Sequence, residues 1–264
     1  MMKYLGIDLP KPKVAVFGFT GCEGCQLQLS NNEQNLKDLF DLIEVMEFRL
    51  ISSDKSSDYD IAFVEGSITT EHEEQAVRQI REQAKVLIAM GACACLGGVN
   101  NLRSRYELNE AMAAVYGDHE VVSGPVRKIS DVVKVDIELP GCPISKTEFE
   151  WLVRELILGI EPQFPRYSVC VECKQRINTC VMDMGILCLG PITQAGCNAV
   201  CPRNRAGCWG CRGPAEEANY ESLLDVLHEH GFSDTQIAER ASFFNAFSGN
   251  EVLPIFDKGS RVDG

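Results

Sequence analysis

Eight of the thirteen cysteines in this 264-residue chain fall between positions 170 and 211. That stretch also carries glycine and proline and shows little hydrophobic periodicity, so it cannot order itself by burying apolar area. Ligation of metal by thiolates is the direct candidate for what orders it instead. An odd number of cysteines fits a disulfide set poorly, and paired spacings in a reducing compartment point to metal or redox chemistry. Composition narrows the setting. The formal net charge of −13 repels nucleic-acid phosphates, so no nucleic acid is expected as a partner. No apolar run approaches the roughly 18 residues of a membrane span. The N-terminus "MMKYLGIDLPKPKVAVFGF" lacks a twin arginine and a long apolar core ending at a cleavage site, so a cytoplasmic protein is expected.

The first part of the chain alternates strand and helix signals. "KVAVFGF" (13–19), "IEVMEFRLI", "DYDIAFVEGS", "KVLIAMGAC" and "VVKVDIELPGCP" read as strands. Helices are expected over about 25–40, over "TTEHEEQAVRQIREQA" with Thr70 as its cap, and over "KTEFEWLVRELILGI". This order predicts an α/β fold, a doubly wound parallel sheet with ligands gathering outside the carboxyl ends of the strands. Residues 1–162 are assigned to that domain. Residues 163–264 are assigned to a second, loop-rich domain, which ends in two helices over 215–247 and a tail of about fifteen residues. Gly231 and Ser233 punctuate the two helices.

Three strand ends deliver cysteines to one side: Cys22 and Cys25 after the first strand, Cys93 after "VLIAMGA" and Cys142 after "VDIELPG". Twelve cysteines then sort into three quartets: this one, Cys170/Cys173/Cys180/Cys188, and Cys197/Cys201/Cys208/Cys211. On spacing alone the last two could exchange members. Four thiolates suit either an iron–sulfur cubane or a structural zinc. Zinc explains the first quartet poorly, because a structural zinc usually joins local knuckles. Cys95 is left over and reads as a small buried hydrophobe. Glu65, at a strand end, reads either as a capping or salt-bridging carboxylate or as part of a site. Glu23 reads as a solvated or interface charge, or as a group that moves protons or tunes a cluster. The four histidines read as surface or helix residues, with His228 and His230 as candidates for partner contact.

"TGCEGCQLQL", "VEGSI", "GACACLGG" and "ELPGCP", followed by "CLGPITQAGC" and "CWGC", resemble the successive signatures of the [NiFe]-hydrogenase small subunit, over roughly residues 13–213. The departures resemble its cytosolic group 3 type, the sulfhydrogenase delta subunits: Cys170 stands where many exported relatives have histidine, and Cys201 where many have proline. The resemblance implies a flavodoxin-like domain followed by a loop-rich iron–sulfur domain with a few helices. It implies three [4Fe-4S] clusters: proximal on Cys22, Cys25, Cys93 and Cys142, and distal and medial on the two later quartets. It implies electron transfer between the Ni–Fe site of a large-subunit partner and a flavin- and iron–sulfur-containing diaphorase or ferredoxin-like subunit. A respiratory complex I-like subunit is the alternative within the fold, though such subunits generally lack a second cysteine-rich region. A zinc-binding structural or interaction protein is the alternative outside it.

Overall fold

The computed structural model describes residues 2–4, 7–9, 11–31, 41–117, 119 and 121–244. The chain forms two compact units, Met1–Cys95 with Arg127–Phe164, and Leu96–Val126 with Pro165–Gly264.

In the first unit, β1 (Met2–Tyr4) and β2 (Ile7–Leu9) make an antiparallel pair. Five further strands, β3 (Lys13–Gly18), β4 (Glu44–Phe48), β5 (Ile61–Glu65), β6 (Val86–Met90) and β7 (Ile137–Leu139), form a wholly parallel sheet in the order β4-β3-β5-β6-β7. Counted within the sheet this is 2-1-3-4-5, the flavodoxin-like order, with its topological switch point between β3 and β5. The fold class expected from the sequence is the one observed.

Burial explains the near-continuous apolar strands. Successive side chains on a strand point to opposite faces. Val14, Val16, Ile61, Phe63, Ile88, Met90 and Leu139 share one core with α1 (Gly24–Ser30) and α5 (Lys146–Leu158), through Leu29, Phe149, Leu152 and Leu156. The alternate residues Ala15, Ala62, Val64, Leu87 and Ala89 are equally buried, so both faces are covered, as a parallel sheet requires. Helix α2 (Glu71–Gln83) begins at a capping box in which Thr70 Oγ1 accepts from Glu73 N–H. Helix α3 (Gly91–Leu96) follows β6 directly.

Two expectations shift in extent. The last strand spans only Ile137–Leu139, because Ile129–Asp131 turns as a 3-10 helix and the chain enters the sheet late. Helix α1 runs to Ser30, and the rest of the expected helix, from 32 to 40, lies outside the described residues.

The second unit is built from helices and turns: α4 (Leu108–Tyr116), α6 (Val169–Gln175), α7 (Val200–Arg203), α8 (Tyr220–Glu229) and α9 (Asp234–Ser242). Asn219 and Ser233 cap the last two through their side chains, and Gly231, at φ +82°, ends α8. Residues 245–247 of the expected second helix and the expected tail lie outside the described residues. One core cluster of this unit consists of Val169, Cys173, Val181, Cys188, Ala199 and Cys208. Half of its members are cysteines, so the thiols themselves occupy the interior.

Candidate metal centres

The first two cysteines, Cys22 and Cys25, follow β3 beside the switch point. The loops leaving β3 and β5 are zipped together: Phe19 N–H donates to the Glu65 carbonyl at 2.8 Å, and Thr20 and Ser67 exchange backbone hydrogen bonds. Gly66, at φ +93°, makes this approach possible. A Cβ there would lie 2.7 Å from the Phe19 carbonyl carbon and 2.9 Å from the Thr20 oxygen.

The carboxylate beside it is turned inward. Glu65, 4% exposed, accepts from Cys25 N–H at 3.0 Å and from Gln26 N–H at 3.1 Å. These are first-turn donors of α1 that no intrahelical carbonyl can satisfy. Of the two roles open from the sequence, capping is the one seen. Glu65, from one strand end, clamps the CxxC segment that follows another. Glu23 is the N-cap residue itself, in left-handed conformation at φ 60°, and its side chain makes no cap bond.

The other two segments close on the same point. Gly91 has φ +90°, and a Cβ on it would stand 2.5 Å from Cys25 Sγ. Ala92 N–H donates to the Gly141 carbonyl at 2.7 Å, tying the start of α3, which carries Cys93, to the loop that carries Cys142. A Cβ on Gly24 would lie 3.2 Å from Cys22 Sγ and 4.0 Å from Pro143 Cβ. Burial pushes the Cys25 thiol far up, and the charges of Glu65, Cys142 and Cys93 push it further. Cys142 is raised by burial, then by Cys22 and Glu65. Cys25 thus senses Cys93 and Cys142, and Cys142 senses Cys22. Cys22, Cys25 and Cys142 form no disulfide. Cys95 is 2% exposed, and its thiol donates to the Ala89 carbonyl at 3.4 Å.

In the second unit, burial raises Cys170 to about 12, with Cys188, Cys173 and Cys180 adding to it. Cys188 is the hub. Its Sγ accepts from Cys208 N–H at 3.2 Å and from Gly190 N–H at 3.4 Å. Cys173 Sγ faces Asn178 Nδ2 at 3.8 Å. Cys201 is raised by burial and then by Cys197 and Cys188, and Cys208 by burial and then chiefly by Cys188. The two groups thus adjoin at Cys188.

A second inward carboxylate repeats the device seen at Glu65. Glu172, 8% exposed, accepts from Gly196 N–H at 2.9 Å and from Ala199 N–H at 3.1 Å. It holds the Cys197–Cys201 loop, where Asn198 (φ 57°) and Ala199 (φ 50°) are both left-handed. Such residues persist only where their surroundings over-determine them. Arg176 adds a bond to Asn198 Oδ1 at 2.8 Å. Arg212, 2% exposed, donates from Nε to the Ala195 carbonyl at 2.7 Å. Sequence reading missed Glu172 and Arg212, although an acid inside "CVEC" was a signal.

The donor set fits an iron–sulfur core. Thiols buried together resist ionisation, and a bound cation reverses that balance by stabilising thiolates. Among the described residues no three Cys, His, Asp or Glu side chains are arranged to hold a single metal ion. Backbone packing around the site is close: a Cβ on Gly207 would fall 1.8 Å from the Leu187 carbonyl oxygen. Gly207→Ala is therefore expected to displace both Cys188 and Cys208 and to cost about 1–3 kcal/mol, read as a lower denaturation midpoint with loss of bound metal.

Known proteins resemble this chain in sequence and fold. Residues 22–156 match the family described as NADH ubiquinone oxidoreductase, 20 Kd subunit. Over 239 residues the chain is 37% identical to the Sulfhydrogenase 2 subunit delta of Pyrococcus furiosus, covering 88% of this chain and 98% of the relative. The chain belongs to the [NiFe]-hydrogenase small-subunit family, group 3 type. An alignment over 88% of these 264 residues necessarily includes positions 170–211, so membership extends through the second cysteine region. The fold agrees. An NAD+-reducing [NiFe]-hydrogenase in the H2-reduced state superposes with TM-score 0.54 at 26% identity, covering 59% of this chain and 96% of that one. The Actinobacterial-type NiFe-hydrogenase from Ralstonia eutropha H16 superposes with TM-score 0.56, covering 84% and 90%, and at 16% identity it shows the shared fold. As a hydrogenase small subunit, the chain serves electron transfer in an oxidoreductase whose catalytic site lies in the large subunit. No helix among the described residues is long and apolar enough to cross a membrane.

Proposed function

We propose that this small subunit relays electrons through three [4Fe-4S] clusters, between the Ni–Fe site of a large subunit and a flavin- and iron–sulfur-containing diaphorase or ferredoxin-like subunit, in a cytoplasmic complex. The proximal cluster is held by Cys22, Cys25, Cys93 and Cys142. The distal one is held by Cys170, Cys173, Cys180 and Cys188, and the medial one by Cys197, Cys201, Cys208 and Cys211. The observation that carries this reading is the convergence of cysteine-bearing loops at the carboxyl ends of the parallel strands, where open α/β sheets place ligands: Cys25 Sγ is set against Gly91, and Ala92 N–H is bonded to the Gly141 carbonyl.

Bound there, the cubanes would supply one-electron carriers in series. The chain does the rest. It presents thiolates, excludes water by burying Cys25, Cys173, Cys188 and Cys208, and aims N–H groups at Cys188 Sγ, which favours the more reduced state. The adjacency of the two later groups at Cys188 suits transfer from one to the next. Anaerobic purification followed by metal analysis tests the assignment. About twelve irons per chain with matching sulfide support it, and zinc in place of iron in the C-terminal region would overturn it.

Cys201 decides the medial cluster type, since it stands where many exported relatives have proline. Cys201→Ser is expected to convert that cluster to a three-iron form, seen as a new EPR signal in the oxidised state at higher potential. An unchanged spectrum would remove Cys201 from the ligand set.

A further inference from the structure

One charged side chain beside the later cysteines is not explained by folding. Arg240, on α9, lies flat on Trp209, its guanidinium carbon 3.5 Å from the ring centroid. Trp209 in turn packs on Phe243, ring centroids 4.8 Å apart. The stack fixes where the cation sits. The Nη1 atom of Arg240 is buried and has no hydrogen-bond partner among the described residues. An arginine kept only for solubility would leave its donors in water, and one kept for an ion pair would turn them to a carboxylate. Here the stack holds the cation against Trp209, the residue that follows Cys208; burial works against its charge, and Cys188, Cys208 and Cys201 work for it.

We propose that Arg240 is a fixed positive charge set at the junction of the two C-terminal cysteine groups, and that it raises the reduction potential of the clusters they bind. The inference rests on the iron–sulfur reading above. An arginine stays protonated throughout the working pH range. Each reduced cluster carries one more negative charge than its oxidised form, and the cation stabilises that form from a half-buried position where water screens it less than at the open surface. The effect is expected first on the Cys197/Cys201/Cys208/Cys211 group, whose Cys208 is the chain neighbour of Trp209. The local cause is Trp209, which sits inside "CWGC" and serves as the platform.

The test is an EPR-monitored redox titration of the full-length chain with its co-purifying subunits, comparing wild type with Arg240→Gln, Arg240→Lys and Trp209→Leu. Arg240→Gln is expected to keep its iron and to show about a tenfold lower reduced-to-oxidised ratio at fixed potential, a negative shift of ~59 mV for a one-electron couple. Arg240→Lys, which keeps the charge, is expected to shift less. Trp209→Leu, which frees the guanidinium, is expected to shift in the same direction as Arg240→Gln, and it carries the test if Arg240→Gln loses iron. Wild-type potentials in an iron-replete Arg240→Gln protein, or equal shifts in the Gln and Lys variants, would overturn the proposal while leaving the clusters intact. A wild-type protein without iron would overturn both readings.

Discussion

Replacing Cys25 with alanine is expected to reduce bound iron from about twelve to about eight per chain, the loss of one cubane, and to bring hydrogen-dependent dye reduction down to background. Among the first-group thiols Cys25 is the buried one, 7% exposed. It lies against Gly91 on one side and under Glu65 on the other. No neighbouring side chain can take its place, because the helix turn that carries it is clamped and the gap at Gly91 is too small for even a methyl group. Cys142 is exposed by comparison, so its loss leaves room for a water or an added thiol to fill the position. Cys25→Ala is therefore expected to be the more severe of the two, and added thiol is expected to rescue Cys142→Ala alone. Full iron content and hydrogen-dependent activity in Cys25→Ala would remove the first group as the entry point for electrons.

The second large effect concerns a residue that binds no metal. Glu65→Ala leaves the Cys25 and Gln26 N–H groups buried without an acceptor, at a cost of about 1–3 kcal/mol for each. The loss is expected as a lower denaturation midpoint of the apo chain, with the unfolding slope unchanged. Glu65→Gln keeps one acceptor oxygen and is expected to lose roughly half as much. Both variants are expected to lower iron retention in the first group ahead of the others, since the clamp positions Cys25 and nothing in the second unit. A wild-type midpoint in Glu65→Ala would show that the two N–H groups find other partners and that the carboxylate serves some other end.

These two residues mark what was legible in advance. Cys25 declared itself through "CEGC" following an apolar run, since a buried parallel strand needs apolar side chains on both faces and must release its loop at the carboxyl end. The same logic placed Cys93 and Cys142. It held even though β7 is three residues long, because the loop position depends on where the strand stops, at Pro140, and not on where it starts. Glu65 was visible only as a carboxylate at a strand end with two possible roles. Its partners are 39 and 40 positions away in sequence, and nothing in "VEGS" states which loop it faces. The β3–β5 pairing decides that, by setting Gly18 opposite Glu65 and the following loops side by side.

The distinction is sharper in the second unit. Chain order grouped Cys170 with Cys173, Cys180 and Cys188, because short loops bring near neighbours together. It could not show that Cys188 also touches the other group, that Glu172 reaches back from α6 to hold Cys197–Cys201, or that Arg240 stacks on Trp209. By itself the sequence determined the chain order of the cysteine-bearing loops and the number of available thiolates, since these follow from periodicity, spacing and residue type, and its signatures carried the resemblance to the family. Only the tertiary structure decided which carboxylate caps which cysteine segment and which cation stacks on Trp209. Those contacts join residues tens of positions apart, and a side chain's partner across such a distance is set by packing geometry that no local pattern encodes.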